Sequence, residues 1–401
     1  MLNPSFTKWS SALTAATAAC ATAVLVACGG GGGDTTPEAV TTAAATTYSQ
    51  GAITGFGSIF VGGVRFDDST ASVTDEDGNS RSRSELKLGM MVELDAGAVD
   101  RTAASALALR IRLGTEIVGP VGTVNTAAST VQVLGQTVLV TSSTIFDETL
   151  SGGLSALVSG AVVEVYGILD PANSRVVATR IEPKTGATAY KLRGALAGLD
   201  TTAKTFTING QTVSYASLPA GNVPAGLLNG QIVRVLLQTT QVSGAWVATA
   251  LRGGLRLPEV TRRDAHVEGV ISAFTSTSSF QINGLQVDAS SATFPDGTAG
   301  IVLGAKVEVE GVVTNGVLVA SKVEIENRRP ELKVLELRGQ MGNLNTTDKT
   351  FALRGVTVWY GGTVEYRNGT EATLANAKAV EVKGVLSTDR TRLEARRIEF
   401  K

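Results

Sequence analysis

Residues 303–311 read Leu303-Gly304-Ala305-Lys306-Val307-Glu308-Val309-Glu310-Gly311, with valines and charged side chains alternating after a glycine. Successive side chains of a β-strand point to opposite faces, so this period of two predicts a strand with one buried and one solvated face. The same pattern returns at Gly89 to Leu94, Gly160 to Gly167, Gly230 to Leu236 and Ala379 to Gly384. The chain therefore repeats one strand-rich unit.

Each repeat also carries a short turn with glycine ahead of an alternating apolar run. The five copies are Gly62-Gly63-Val64-Arg65-Phe66, Leu134-Gly135-Gln136-Thr137-Val138, Asn209-Gly210-Gln211-Thr212-Val213, Asn283-Gly284-Leu285-Gln286-Val287 and Arg354-Gly355-Val356-Thr357-Val358. Asn-Gly is preferred in type I′ turns, where both central residues need positive φ. At least one β-hairpin is therefore expected in every repeat.

A last strand closes each repeat, with an alanine three residues before an aliphatic side chain. These pairs are Ala108 and Ile111, Ala178 and Ile181, Ala248 and Leu251, Ala320 and Val323, and Ala395 and Ile398. The repeats begin near Gly51, Gly119, Gly194, Gly269 and Gly339, a step of roughly 70 to 75 residues. The predicted bounds of repeats one to five are 50–115, 116–184, 189–253, 265–327 and 335–401.

The repeats resemble the domain of unknown function 5666 family, which occurs in bacterial secreted and lipid-anchored proteins. The resemblance is closest in repeat one, at residues 55–66 and 86–92, and weakest in repeat five, where Arg354 replaces the preferred asparagine and residues 359–362 form an insertion. It covers about residues 50 to 401. The family has no established activity, so the resemblance implies architecture and no chemistry.

A repeat of this size, with four to six short strands, can close into a small barrel without exposed sheet edges. The order of strands and glycines is similar to that of an OB-like barrel. The predicted fold is therefore all-β, a tandem array of five small OB-like β-barrel repeats that follow a lipoprotein signal peptide.

The N-terminal segment has one basic residue, Lys8, and an interrupted apolar stretch that ends at Leu25-Val26-Ala27-Cys28. This resembles a bacterial lipobox, which implies that residues 1–27 are removed and that Cys28 is lipidated, with palmitate among the expected lipids. Residues 28–49 would form a flexible Gly/Thr/Ala tether. Because Gly29 follows the cysteine, we expect the bacterial outer membrane, at its periplasmic face rather than the cell surface.

Composition limits the chemistry. The chain has 35 basic and 36 acidic residues, so no nucleic-acid partner is expected. Cys20 and Cys28 both precede the repeats, and His266 is the one histidine in the sequence, so cysteine or histidine triads and multi-histidine zinc sites are not expected. We predict neither a cofactor nor a metal, and we interpret His266 as a junction residue between repeats three and four.

Two local patterns need an interpretation. Residues 84–87 match Ser-x-x-Lys and residues 184–186 match Lys-Thr-Gly, as in penicillin-recognising enzymes, but a strand and a linker are the wrong context for that chemistry. Residues 75–79, Asp75-Glu76-Asp77-Gly78-Asn79, resemble the start of a calcium loop. Because the glycine and bidentate glutamate of an EF-hand are missing, an Asp-Gly hairpin turn is favoured over a weak calcium site.

The sequence favours a non-enzymatic envelope lipoprotein, built as a multivalent binding or spacer module with an envelope protein or polysaccharide as partner. One alternative is a carbohydrate-binding protein for peptidoglycan or surface polysaccharide, with Trp246, Trp359 and Tyr360 as the ligand-stacking candidates. Trp359 and Tyr360 should point to opposite faces of their strand. A second alternative is a hydrolase or lyase that uses two converging carboxylates; no catalytic residue is assigned.

Overall fold

A computed structural model of the chain describes residues 46–254, 262–325 and 335–401. These residues form five consecutive groups of β-strands, named barrels 1 to 5 below. Short 3₁₀ helices connect some of the strands, at Arg83–Glu85, Gly153–Ala156, Pro171–Asn173, Ala220–Asn222 and Glu371–Thr373. Among the described residues, no helix is long and apolar enough to cross a membrane.

The strands of each barrel follow one another along the chain. Barrel 1 contains β1 (Thr47–Ala52), β2 (Gly55–Phe56), β3 (Ile59–Val61), β4 (Val64–Asp67), β5 (Ser72–Asp75), β6 (Met91–Ala96) and β7 (Ser105–Gly114). Barrel 2 contains β8 (Ile117–Asn125), β9 (Thr130–Val133), β10 (Gln136–Phe146), β11 (Val162–Asp170) and β12 (Arg175–Pro183). Barrel 3 contains β13 (Tyr190–Asp200), β14 (Thr205–Ile208), β15 (Gln211–Ser214), β16 (Ile232–Val242) and β17 (Ala245–Gly253). Barrel 4 contains β18 (Arg262–Ser276), β19 (Ser279–Ile282), β20 (Leu285–Asp288), β21 (Lys306–Thr314) and β22 (Val317–Ile325). Barrel 5 contains β23 (Leu335–Gln340), β24 (Gly342–Asn345), β25 (Thr350–Leu353), β26 (Val356–Trp359), β27 (Glu365–Arg367), β28 (Ala379–Leu386) and β29 (Leu393–Phe400).

Barrel 2 shows the shared topology most simply. Antiparallel pairs join β8 to β9 and β9 to β10, and β10 runs parallel to β12. β12 then pairs antiparallel with β11, which returns antiparallel to β8. This path closes a five-stranded Greek-key barrel of the OB-like class. The prediction of an all-β chain of small OB-like barrels is confirmed.

The other four barrels follow the same path. In barrels 3 and 4 the five strands pair in the same order, including the parallel contact of the third strand with the fifth. In barrels 1 and 5 the first strand is interrupted, as β1 and β2 and as β23 and β24, and an extra short strand, β5 or β27, pairs with the last strand. The repetition seen in the sequence is therefore a repetition of topology.

Alternating side chains fill the interior of each barrel. Each barrel buries one phenylalanine that is less than 2% exposed: Phe66, Phe146, Phe206, Phe280 and Phe351. The buried apolar residues form three clusters, of which one joins barrels 1 and 5 with a few residues of barrels 2 and 4, one joins barrels 2 and 3, and one fills barrel 4 and includes Tyr48 of barrel 1. Core packing therefore extends from barrel to barrel in all three clusters.

Neighbouring barrels also share strand edges. β1 runs parallel to β18 from the pair Thr47 and Asp264 onward, and β2 runs parallel to β23 through the pair Phe56 and Leu337. β8 and β13 pair antiparallel over two residues each. In every case the shared edge belongs to the first strand of each barrel. An unpaired edge invites association with other chains, and these contacts cover it.

Barrel 1 contacts all four other barrels. It meets barrels 4 and 5 through strand pairing, and the guanidinium of Arg180 in barrel 2 donates to the carbonyl oxygen of Leu88 at 3.3 Å. Its Glu76 lies 3.3 Å from the Lys191 ammonium group of barrel 3. All the described residues belong to one compact unit. The repeats therefore pack as one body around the first of them.

Candidate ligand-binding cavity

A cavity of about 340 Å³ lies where barrels 1 to 4 meet. Its walls come from the outer faces of the barrels, so no single repeat contains it. The lining residues are Gln50, Met91, Glu116, Gly167, Ile168, Leu169, Pro171, Arg193, Ala195, Gly230, Gln231, Ile232, Gly254, Ser272, Ala273, Gln281, Asn283 and Gly284. Gly230 and Ala273 are exposed, so the cavity reaches the protein surface at these two residues.

One wall carries a buried ion pair between barrels 2 and 3. Glu116 precedes β8 and Arg193 lies in β13, and their backbones are joined by a 3.1 Å hydrogen bond from the Arg193 amide. Arg193 Nε lies 3.3 Å from Glu116 Oε2, and the two residues are only 4% and 1% exposed. The same guanidinium also donates to the carbonyl oxygen of Gly254 and to Glu76 Oε1. Two hydrogen bonds and an ion pair therefore hold the Arg193 guanidinium in place.

The turn at residues 75–79 supplies Glu76 to this network. Asp75 Oδ1 accepts the amides of Asp77 at 3.0 Å and Asn79 at 2.9 Å, which fixes the turn from within. Burial raises the pKa of Asp75, but the hydrogen bonds from Asn79 and Asp77 outweigh burial, and that pKa lies below its ordinary value. Asp77 then reaches Arg234 of barrel 3, with 2.6 Å between Oδ1 and Nη2. The turn joins two barrels.

The carboxylates of residues 75–77, which resembled calcium ligands in the sequence, make these contacts within the protein instead. Glu76 and Asp77 face the cations of barrel 3, and Asp75 accepts backbone amides of its own turn. Within the described ranges, no group of three or more His, Cys, Asp or Glu side chains is placed to hold a metal ion.

Amide and hydroxyl groups line a second wall, between barrels 1 and 4. Asn283 Nδ2 donates to Gln50 Oε1 at 3.4 Å and to the carbonyl oxygen of Glu268 at 3.0 Å. Ser272 Oγ accepts the amide of Gly284 at 3.2 Å. Asn283 and Gly284 are the central residues of the turn between β19 and β20, and both have positive φ. The Asn-Gly turn therefore forms a hairpin and also places an amide against the cavity.

The remaining wall is apolar. Met91 comes from barrel 1, Ile168, Leu169 and Pro171 come from the end of β11 and the 3₁₀ turn after it, and Ile232 begins β16. Such a combination of apolar walls with a few fixed polar groups is typical of small-molecule sites.

None of the three aromatic residues singled out from the sequence lines this cavity. Trp246 is 9% exposed and packs edge-on against Tyr190, with ring centroids 5.6 Å apart. Tyr360 is 3% exposed and packs on Phe351 at 5.9 Å, so its ring is part of the core of barrel 5. Packed neighbours cover both rings, and this burial contradicts the predicted role of Trp246 and Tyr360 in ligand stacking.

Trp359 is the partly exposed member of the adjacent pair. The Arg392 guanidinium lies 5.1 Å from its ring centroid, a cation–π arrangement. The backbone of Gly361 also lies so close that an added Cβ would be 2.6 Å from Trp359 Cζ2. Much of the ring is therefore already in contact with the protein. Cys28, the predicted lipidation site, lies outside the described residues.

His266 lies between barrels 4 and 1, whereas the sequence predicted a junction between repeats three and four. Its Nε2 is 2.5 Å from Glu308 Oε1, and its ring lies against Gly62 of barrel 1, where a Cβ would overlap the imidazole. Burial lowers the pKa of His266, but the hydrogen bond and charge of Glu308, together with Glu310 and Glu268, outweigh burial and raise it. Because Gly62 also has a φ of 54°, glycine suits this contact for two reasons.

The comparisons with known proteins identify the repeat. A family model described as Domain of unknown function (DUF5666) matches residues 118–182, 268–324 and 338–399. These segments fall in barrels 2, 4 and 5, and they include the repeat with the most divergent turn, although repeat one was expected to match best. No curated protein matches the chain.

One solved structure, titled "drosophila Unr CSD456", is 13% identical and covers 54% of this chain and 98% of that chain, with a TM-score of 0.13. The OB-like class rests instead on the strand order of the five barrels. The three matched segments and the shared topology lead to one conclusion: the chain carries tandem repeats, of which those at residues 118–182, 268–324 and 338–399 match the DUF5666 domain.

Proposed function

We propose that this chain is a non-enzymatic binding protein of the bacterial cell envelope and that its ligand site is the cavity between barrels 1 to 4. One observation carries the proposal: four repeats contribute polar side chains to a single cavity of about 340 Å³. That volume lies near the lower end of the roughly 300 to 1,000 Å³ usual for small-molecule sites. A shared site of this kind favours one binding event over independent contacts by separate repeats.

The arrangement of charges supports binding rather than catalysis. Glu116 is the one carboxylate among the lining residues, and it is paired with Arg193. Hydrolysis of a glycosidic bond by two carboxylates needs both of them to face the substrate. Glu76, the next carboxylate of this network, does not line the cavity and pairs with Arg193 and Arg234.

The binding site is tested by looking for a ligand that accompanies the protein. We would isolate the full chain from its membrane and measure its mass by native mass spectrometry, where a bound ligand adds to the mass of the protein. Ala273→Trp places a large side chain at the exposed rim of the cavity and should remove any added mass. Val319→Trp makes the same change at an exposed position of the same barrel, outside the lining residues, and should leave the added mass. No small molecule on either protein, after native isolation, would contradict the proposal.

Attachment to the envelope is a separate part of the proposal and rests on the lipobox-like sequence before Cys28. Labelling of cells with a palmitate analogue should mark the parent chain and should not mark Cys28→Ser. Fractionation should then place the labelled chain in the outer membrane. Equal labelling of the two chains would show that Cys28 is not the lipidated residue.

A second candidate function is binding of a polysaccharide at Trp359, because this is the one of the three stacking candidates that is not fully buried. Trp359→Ala should then abolish retention on peptidoglycan or surface polysaccharide while the fold is kept. Retention by Trp359→Ala, together with its loss in Ala273→Trp, would assign glycan binding to the cavity instead.

A further inference from the structure

We infer that the cavity takes a neutral saccharide, an inference that rests on the cavity being the ligand site. It specifies the charge and the hydrogen-bonding groups of the ligand.

The charged wall is balanced before any ligand enters. Arg193 donates to Gly254 and Glu76 and forms an ion pair with Glu116, so its charge is already matched by carboxylates. Glu116 in turn has the guanidinium as its counter-charge. A ligand anion would compete with carboxylates for this arginine, and a ligand cation would compete with the arginine for Glu116. Moving an uncompensated charge out of water is costly, so the site favours a ligand without net charge.

The other polar groups suit hydroxyls. Gln50, Gln231, Gln281 and Asn283 each present an amide, which has both a donor and an acceptor end, and Ser272 adds a hydroxyl. A sugar hydroxyl likewise donates one hydrogen bond and accepts others. Each of these amides uses one end within the protein: Asn283 Nδ2 donates to Gln50 Oε1, Gln281 Nε2 donates to Gln286 Oε1, and Gln231 Oε1 accepts the amide of Leu228. The opposite ends, which come from barrels 1, 3 and 4, can bind a ring with hydroxyls on several carbons, whereas an apolar ligand would offer them no hydrogen bond.

The apolar wall lies beside these amides rather than apart from them. Met91, Ile168 and Ile232 offer a surface for the C–H groups of a sugar ring. A saccharide has such an apolar face together with its polar edge, so one molecule can satisfy both walls. The volume of about 340 Å³ restricts the ligand to a small saccharide.

The test compares sugars that differ in charge and little else. Binding of glucose and N-acetylglucosamine, both neutral, is measured by titration calorimetry against glucuronate and glucosamine, at an ionic strength that screens surface charges. At least one neutral sugar should bind, and the charged counterpart of the same ring should bind at least about tenfold more weakly. Gln281→Leu, which keeps the bulk and removes the amide, should weaken the neutral sugar by about tenfold, or about 1.4 kcal/mol.

The same two variants, Ala273→Trp and Val319→Trp, test whether the sugar binds in the cavity. Ala273→Trp should abolish binding of the neutral sugar, and Val319→Trp should keep it. Equal or tighter binding of glucuronate or glucosamine would overturn the inference on ligand class. A native ligand that is lost in Ala273→Trp but carries a net charge would also overturn it while leaving the proposed function intact. If the isolated protein holds no ligand and no sugar binds, both proposals fail.

Discussion

Asp77 of barrel 1 and Arg234 of barrel 3 form an ion pair, with 2.6 Å between Oδ1 and Nη2, although 157 positions separate them in the chain. Glu76, next to Asp77, contacts Arg193 and Lys191 of the same barrel. Two consecutive carboxylates of one turn therefore face three cations on a neighbouring repeat, and Glu116 supplies a third negative charge.

Glu76→Gln should destabilise the folded protein by about 3 kcal/mol, because removal of one partner leaves buried cations without compensation. Glu76 and Arg193 have side-chain exposures of only 7% and 4%. Urea unfolding would measure the loss. Glu371→Gln is the matched control, since its partner Lys349 lies on the surface, and no change in midpoint is expected. Equal shifts for the two variants would show that the junction has no special stability.

Gly89→Ala should cost more stability than Gly160→Ala, although both residues occupy the same turn of their repeats. Both have positive φ, 79° and 86°, so the backbone strain of an alanine is similar. A Cβ on Gly89 would lie 2.6 Å from the carbonyl oxygen of Thr179 in barrel 2, whereas one on Gly160 would have no neighbour within 4 Å. Overpacking should add about 1 to 3 kcal/mol for Gly89.

The comparison is made by thermal and urea unfolding of the two variants side by side. A larger loss for Gly160→Ala would mean that the turn of barrel 1 does not press on barrel 2 in solution.

His266 should stabilise the protein more at acid pH than at alkaline pH. Its pKa in the folded state is raised above 6.5, so the charged ring contributes its stability below about pH 6.5 and loses it as the pH rises through the folded pKa. Glu308, Glu310 and Glu268 are the carboxylates whose charges favour the protonated ring.

The difference in unfolding free energy between the parent and His266→Gln should therefore be larger at about pH 5.5 than at about pH 8.5. Because the other titratable groups are the same in both proteins, their contribution to the pH dependence cancels in this difference. A difference that grows with pH would contradict the assigned contact with Glu308.

Trp246→Ala should lose about 3 to 5 kcal/mol, the usual cost of deleting a buried large aromatic side chain. Its ring packs on Tyr190 and its indole Nε1 donates to Gln211 Oε1 at 3.2 Å. Trp359→Ala should lose clearly less, because the ring is partly exposed. Chemical unfolding of both variants tests the ranking, and the reverse ranking would return Trp246 to the surface as a candidate for ligand stacking.

The barrels were predictable from local patterns. Alternation at residues 303–311 gives β21, and the Asn-Gly pairs at residues 209–210 and 283–284 form the tight hairpins. Periodicity predicts such elements because the two faces of a strand in a small barrel have different environments. The opposite orientations expected for Trp359 and Tyr360 follow from the same rule, and Tyr360 is the one in the core.

The junctions were not predictable in this way. Arg193 follows the core residue Leu192 and so occupies an outward position of β13, where a charged side chain normally indicates solvent. It is buried because a different repeat covers it. Lys87, at the end of the Ser-x-x-Lys match, likewise pairs with Asp147 and Glu182 of barrel 2. The cavity consists of such outward residues, and no single repeat carries enough of them to form a motif.

The position of barrel 1 in the chain has a consequence for biosynthesis. This barrel leaves the ribosome before the other four, yet β1 and β2 find their outer partners only in β18 and β23. Until the last repeats arrive, two strand edges of the earliest domain stay open to pairing with any extended chain nearby. A protein that ends before barrel 5 would keep the edge of β2 unpaired permanently. Premature termination would therefore yield an aggregation-prone fragment rather than a shorter version of the same molecule.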